Sequence, residues 1–162
     1  EMTSSLVGSE MCIRDSEKAF WDVIKLSKAP IICSHSSSMA MCKHDRNLTD
    51  EQLKALAQNG GVAQVCLLDR YINEDYKNAS LTDAIEHIDH MVKVAGIDHV
   101  GIGSDFDGGG GIIGCESDND FIQITVKLIE KGYTEEDIAK IWGGNLMRVL
   151  DEVQATASVK TL

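Results

Sequence analysis

The chain has 162 residues, of which 43% are hydrophobic and 25% charged, a mixture that excludes a disordered or fibrous protein and provides for one domain with a sizeable core. Its 15 Lys and Arg stand against 26 Asp and Glu, for a net charge of −11. With no basic stripe to offset it, that balance excludes a nucleic-acid partner, whose binding depends on neutralising phosphates.

No apolar run approaches the roughly 20 residues of a membrane span, so no span is expected in this chain. The opening EMTSSLVGSEMCIRDS lacks the basic and apolar regions of a signal peptide. Five cysteines (Cys12, Cys33, Cys42, Cys66, Cys115) are scattered and form no Cys-x-x-Cys pair, which argues against a zinc ribbon or a disulfide framework. Cys33 and Cys66 lie in apolar runs and read as small buried hydrophobes. A reducing compartment is compatible with this pattern, and the cellular location stays open.

In chain order, residues 16–28 predict a helix with Ser16 as N-cap and Phe20, Val23 and Ile24 at helical spacing. Pro30 ends it, and residues 31–33 (IIC) read as a short buried strand leading into Ser34-His35. Residues 49–59 predict a second helix, opened by a Thr49/Gln52 capping box and stopped by Gly60-Gly61. Residues 62–68 read as the next strand. After a polar loop, residues 81–95 carry an apolar stripe of period near 3.6, with Gly96 as the stop. Residues 99–104 form a third strand, which runs into Asp105-Phe106-Asp107 and four glycines. Helices are expected over 118–131 and 134–153, the latter with acids at the positive end of its dipole. Residues 155–162 read as a tail without pattern.

The alternation of helices with continuously apolar strands predicts an α/β fold with a parallel sheet. Three strands are legible, whereas a closed eight-stranded barrel typically needs about 250 residues. The chain is therefore a small open sheet or a piece of a barrel. Two strands end in residues of catalytic type, Ser34-His35-Ser36-Ser37-Ser38 and Ser104-Asp105-Phe106-Asp107. In parallel α/β folds the C-terminal strand ends face the active site. His35 could there offer a nitrogen to a metal, and Asp105 could ligate or move a proton. Taken singly, each reads better as a structural His or a loop-capping Asp; together, at equivalent positions on two strands, the catalytic reading draws level.

Other candidates are weaker. His87 and His90 lie off the apolar stripe and read as solvated or packing residues. His99 opens its strand, at the wrong end for a barrel site, and His44 reads as a surface residue near the first loop. The glycines at 108–111 lack the spacing of a Walker or dinucleotide loop and are expected to form a mobile loop at the site. No nucleophile elbow surrounds the serines.

Several segments taken together resemble the membrane (renal) dipeptidase family of zinc metallopeptidases. They are residues 30–47 (PIICSHSSSMAMCKHDRN), Gly60-Gly61-Val62, residues 85–89 with Ala95-Gly96, and residues 100–108 (VGIGSDFDG). The ending from Gly132-Tyr133-Thr134-Glu135 through Gly143-Gly144-Asn145-Leu146 to Arg148-Val149 belongs to the same resemblance. It runs in order over most of the chain and implies that residues 16–154 are the C-terminal portion, about three strands with helices, of a TIM-like (α/β)8 barrel of the metal-dependent hydrolase type. It implies hydrolysis of dipeptides by attack of a metal-activated hydroxide, with two zinc ions in the complete enzyme and a homodimer as a compatible assembly. By position His35 matches a zinc ligand. Arg46 matches the arginine that pairs with the substrate's C-terminal carboxylate, a task suited to a planar fork. Asp105 matches the active-site aspartate near the scissile bond.

The departures are as informative. The family's His-x-Asp pair and bridging Glu are expected upstream of residue 1, and Arg14 stands where a further His ligand is expected. Residues 1–15 fit no part of the family and read as foreign, artefactual sequence joined to it. One zinc ligand is left, whereas a catalytic zinc needs about three. The expectation is therefore a truncated, inactive piece of a zinc dipeptidase. The alternative is a metal-free peptide-binding or structural relic of the barrel.

Overall fold

The computed structural model describes residues 17–158. Helix α1 (Glu17–Leu26) buries Phe20 and leans Val23 and Ile24 on the core, as its spacing predicts. Ser16, proposed as its cap, lies outside the described residues, as do Cys12, Arg14 and the rest of the stretch 1–15. Strand β1 (Ile32–Cys33) follows, then helix α2 (Asp50–Gln58). The Thr49/Gln52 capping box forms as expected, with Thr49 Oγ1 accepting from the Gln52 amide, a device worth about 1 kcal/mol. Gln52 Oε1 accepts from the Thr49 amide in return.

Strand β2 (Val62–Val65) is shorter than the apolar run 62–68, because from Cys66 onward the backbone leaves the ladder and bonds to the loop ends of its neighbours. A short helix α3 (Asp69–Ile72), which the polar loop did not announce, precedes α4 (Leu81–Ala95). Helix α4 has the bounds its stripe predicts, capped by Ser80 with Asp83 and buried along Leu81, Ala84, Ile85, Ile88 and Met91. Strand β3 (Val100–Ile102) completes the sheet. Helix α5 (Phe121–Glu130) follows a 3-10 turn at Asp118–Asp120. The long final helix predicted over 134–153 is interrupted. It runs as α6 (Glu135–Ala139), a wide turn Lys140–Gly144 with non-helical Gly143, and α7 (Asn145–Ser158), which continues into the segment read as a patternless tail.

The sheet is parallel, in the order β1-β2-β3, with Cys33 opposite Ala63 and Ala63 opposite Val100. Each new strand is laid beside the previous one. No reversal of strand order occurs, so there is no switch-point crevice of the doubly wound kind. The core gathers Leu53, Leu56, Ala63, Val65, Ile85, Ile88, Met91 and Val100 between strands and helices. Among the described residues no helix is long and apolar enough to cross a membrane.

At the N-terminal ends of the strands α7 acts as a clamp. Asn145 Nδ2 donates to the carbonyls of Ile97 (2.7 Å) and Val100 (2.8 Å), and Arg148 donates to those of Gly60 (2.8 Å) and Asp98 (2.9 Å). His99 Nδ1 donates to the Gly61 carbonyl at 2.8 Å, and Asn59 ties Ala29 and Ile31. This closes one end of the sheet and leaves the other for the loops.

Candidate active site

At the C-terminal ends, β1 delivers Ser34-His35 and β3 delivers Ser104-Asp105. Their approach depends on Gly103: a Cβ there would lie 1.9 Å from the Ser34 carbonyl oxygen, so only glycine lets the two ends come this close. His35 Nε2 then stands 3.9 Å from Asp105 Oδ1, with both side chains partly accessible. His35 Nδ1 is hydrogen-bonded to Ser34 Oγ at 2.6 Å, which orients the ring and turns Nε2 toward the aspartate.

Asp105 is the sole non-glycine residue with positive φ among those described (φ 63°, ψ 28°). Aspartate tolerates this left-handed conformation better than most residues, yet it still carries strain, and such strain gathers at functional positions. It is held because the Asp105 carbonyl accepts from the amides of Gly108 (2.9 Å) and Gly110 (2.8 Å), while Gly111 donates to the Leu67 carbonyl. The glycine run thus forms a hydrogen-bonded turn at the site. The second carboxylate oxygen of Asp105 accepts from the Cys66 thiol at 3.7 Å.

Cys66 is fully buried, as expected of an apolar run, but it also meets the site. It occupies the end of the β2 run, the position that His35 and Asp105 occupy on their own strands. The strand-end rule that selected those two residues could have selected it too.

Arg46 comes from the long loop after β1. Among the described residues no carboxylate lies within ion-pair distance of it, and its backbone amide donates to His44 Nδ1 at 3.1 Å. His44 itself packs against the Tyr71 ring (centroids 4.4 Å apart) and burial pushes its pKa down, so it is half-buried and not the surface residue expected. Arg46 touches neither His35 nor Asp105. The link runs through Asn47, which the sequence left without a role: its Oδ1 accepts from the Ser37 amide and its Nδ2 donates to the carbonyls of Cys42 and Tyr71.

The remaining histidines are structural. His87 is 1% exposed and bonded at both ring nitrogens, a packing residue in accord with one of the roles expected for it. His90 pairs with Asp50 at 2.7 Å, and His99 belongs to the opposite end of the sheet. Among the described residues no three His, Cys, Asp or Glu side chains come together to hold a metal ion. His35 and Asp105 therefore provide part of a metal site at most.

The sequence model of a peptidase family, membrane dipeptidase (peptidase family M19), matches residues 13–162. The chain belongs to the membrane dipeptidase family. Among curated relatives, dipeptidase ataJ of Aspergillus terreus is 41% identical over 88% of the chain, and dipeptidase aclJ of Aspergillus oryzae is 37% identical over 83%. The chain spans 35% and 32% of these proteins, about one third of their length. Two solved structures share the fold. The probable dipeptidase PvdM of Pseudomonas aeruginosa has a TM-score of 0.81 at 31% identity, covering 86% of this chain and 49% of that one. A metallo peptidase from Rhodobacter sphaeroides, liganded with a phosphinate mimic of the dipeptide L-Ala-D-Ala, has a TM-score of 0.80 at 31% identity, covering 84% and 40%.

Proposed function

We propose that the full-length protein containing this chain is a zinc-dependent dipeptidase, and that β1 to β3 are neighbouring strands of a closed (α/β)8 barrel. The observation that carries this reading is the convergence of His35 and Asp105, 3.9 Å apart, from the ends of two parallel strands, in a chain whose relatives are named dipeptidases. The strictly sequential strand order supports a barrel over an open doubly wound sheet.

In this reading His35 is a zinc ligand through Nε2. Ligation there requires the proton on Nδ1, and Ser34 Oγ is placed to accept it. Arg46 receives the C-terminal carboxylate of the dipeptide with its planar donor fork, which no described carboxylate occupies. Asp105 stands beside the scissile bond, where its carboxylate takes up a proton or holds the substrate's amine. The chemistry that zinc supplies to such a site is polarisation of a carbonyl and an acidic bound water. The described residues do not complete a zinc site, so in this reading the other ligands come from outside residues 17–158, and that part alone does not hydrolyse dipeptides. That same incompleteness favours a second reading, a metal-free protein that uses Arg46 and Asp105 to bind peptides.

The deciding experiment measures zinc content and dipeptide hydrolysis in the full-length protein and in its His35→Ala variant. The expected result is zinc and hydrolysis in the wild type and loss of both in the variant. Undiminished activity in the variant would sink the ligand assignment. A wild type that takes up no metal and cleaves no dipeptide would give the lead to the binding reading.

A further inference from the structure

Four consecutive backbone amides follow His35, and each is bonded to an acceptor on a different residue of β2, α4 or the returning loop. Ser36 donates to the Gln64 carbonyl of β2 (2.9 Å), Ser37 to Asn47 Oδ1 (3.1 Å), Ser38 to His87 Nδ1 (3.0 Å) and Met39 to the Leu48 carbonyl (2.8 Å). Two of these acceptors belong to backbone that was going to be there in any case. The other two are side chains, and the one on Ser38 comes from α4, 49 residues downstream.

We propose that His87 is a positioning residue for the active site, fixing the Ser38 amide and through it the loop that presents His35 and Arg46. The inference rests on the roles given above to those two residues. Its chemistry is unambiguous at the ring. Nε2 lies 2.9 Å from the Ile72 carbonyl, which can only accept, so Nε2 carries the proton. Nδ1 is therefore bare and has a lone pair in the ring plane for the Ser38 N–H. Burial, which pushes the His87 pKa down, keeps the ring in this neutral form.

The ring thus ties the loop after β1 to the segment that ends α3. The loop is then doubled back on itself: Ser38 bridges to Leu48, the Leu48 amide donates to the Ser37 carbonyl, and Asn47 holds Ser37 from the side. Arg46 precedes Asn47 directly, so moving the Ser37-Ser38 pair moves both candidate residues together. A residue needed only to fill space would not require a bare nitrogen aimed at a backbone amide.

The test compares His87→Asn, His87→Gln and His87→Leu in the full-length protein. An Asn amide oxygen takes the place of Nδ1 and keeps the bond to Ser38. A Gln amide reaches the place of Nε2 and keeps only the bond to Ile72. Amide exchange is read by mass spectrometry on peptides covering residues 34–42 and 81–95, alongside kcat and KM for a dipeptide. The expected result is faster exchange over 34–42 in the Gln and Leu variants, with 81–95 unchanged and the Asn variant near wild type. In the Gln variant kcat/KM falls roughly 10- to 100-fold, the usual effect of losing a residue that orients a ligand, and Asn restores most of it. Equal behaviour of Asn and Gln, or activity lost only in step with exchange over 81–95, would show a space-filling residue and overturn the proposal. A wild-type protein that cleaves no dipeptide would refute the dipeptidase reading, while the exchange pattern would still decide whether His87 holds the loop.

Discussion

The two ends of the parallel sheet are secured by the same kinds of side chain, used differently. At the N-terminal ends Asn145, Arg148 and His99 donate onto backbone carbonyls, whereas at the C-terminal ends Asn47, Ser37 and His87 each donate to a carbonyl and also accept from a backbone amide. The histidines make the contrast sharpest. His99 donates from Nδ1 to the Gly61 carbonyl. His87 accepts at Nδ1, and a proton added there removes the acceptor that Ser38 needs. The end that carries the candidate chemistry thus depends on a neutral ring.

The largest effect expected is from Gly103→Ala, because its new methyl group must displace the Ser34 carbonyl that leads into His35. Urea unfolding should register a loss of ~2–3 kcal/mol, as forced overpacking does, together with loss of activity in the full-length protein. An unchanged midpoint would mean that the ends of β1 and β3 lie further apart than described.

The two arginines divide the ends next. Arg148→Ala removes donors from the carbonyls of Gly60 and Asp98 and should cost ~1–3 kcal/mol of stability, with KM unaltered. Arg46→Ala should leave stability within ~0.5 kcal/mol, because the half-buried side chain has no ion pair among the described residues to lose. It should raise KM for a free dipeptide about 10-fold or more, the scale of a lost charged hydrogen bond, and barely affect one with a blocked carboxylate. An Arg46 variant that destabilises the fold without altering KM would break the division.

The smallest effect concerns pH. The folded-state pKa of His87 lies below its ordinary 6.5, chiefly through burial, with Asp83 opposing and His90 assisting the shift. Glu74 and Glu86 line, together with Asp83 and His87, a surface pocket between the loop after β1 and α4. Below pH 6.5 the unfolded chain therefore binds a proton that the folded chain refuses, so stability is full above that pH and declines as pH falls beneath it. His44, shifted the same way, adds to the slope. His87→Asn should flatten the decline between pH 6.5 and the acid limb, as followed by urea midpoints. An unchanged slope would remove His87 from its cause.

Helices whose caps and stripes are local were legible in the chain. Thr49 with Gln52, and residues 81–95 before Gly96, fold as their spacing dictates, because capping and one-sided burial involve neighbours within a turn or two. The strand ends that offer His35 and Asp105 were legible for a related reason, since strand polarity follows from a parallel sheet. What was not legible depends on distant partners. Cys66 read as a small apolar residue until the carboxylate of Asp105, 39 positions away, was placed against it. His87 looked inert off its stripe because its value lies in the amide of Ser38. Gly143 interrupts the helix expected over 134–153, and the break lets α7 turn Asn145 and Arg148 onto the strand ends. The family was legible through quoted motifs, and the match over residues 13–162 agrees with it.

The bond between Ser38 and His87 also sets an order of events. When residues 35–48 leave the ribosome, the acceptor for the Ser38 amide has not yet been synthesised, and it becomes useful only after α4 has formed and docked across the intervening strand. Contacts over such a separation come late, because the chain between them must first give up its freedom. The local caps can form early and the sheet can begin to pair, but the loop that bears His35 and Arg46 is completed only after α4 has docked.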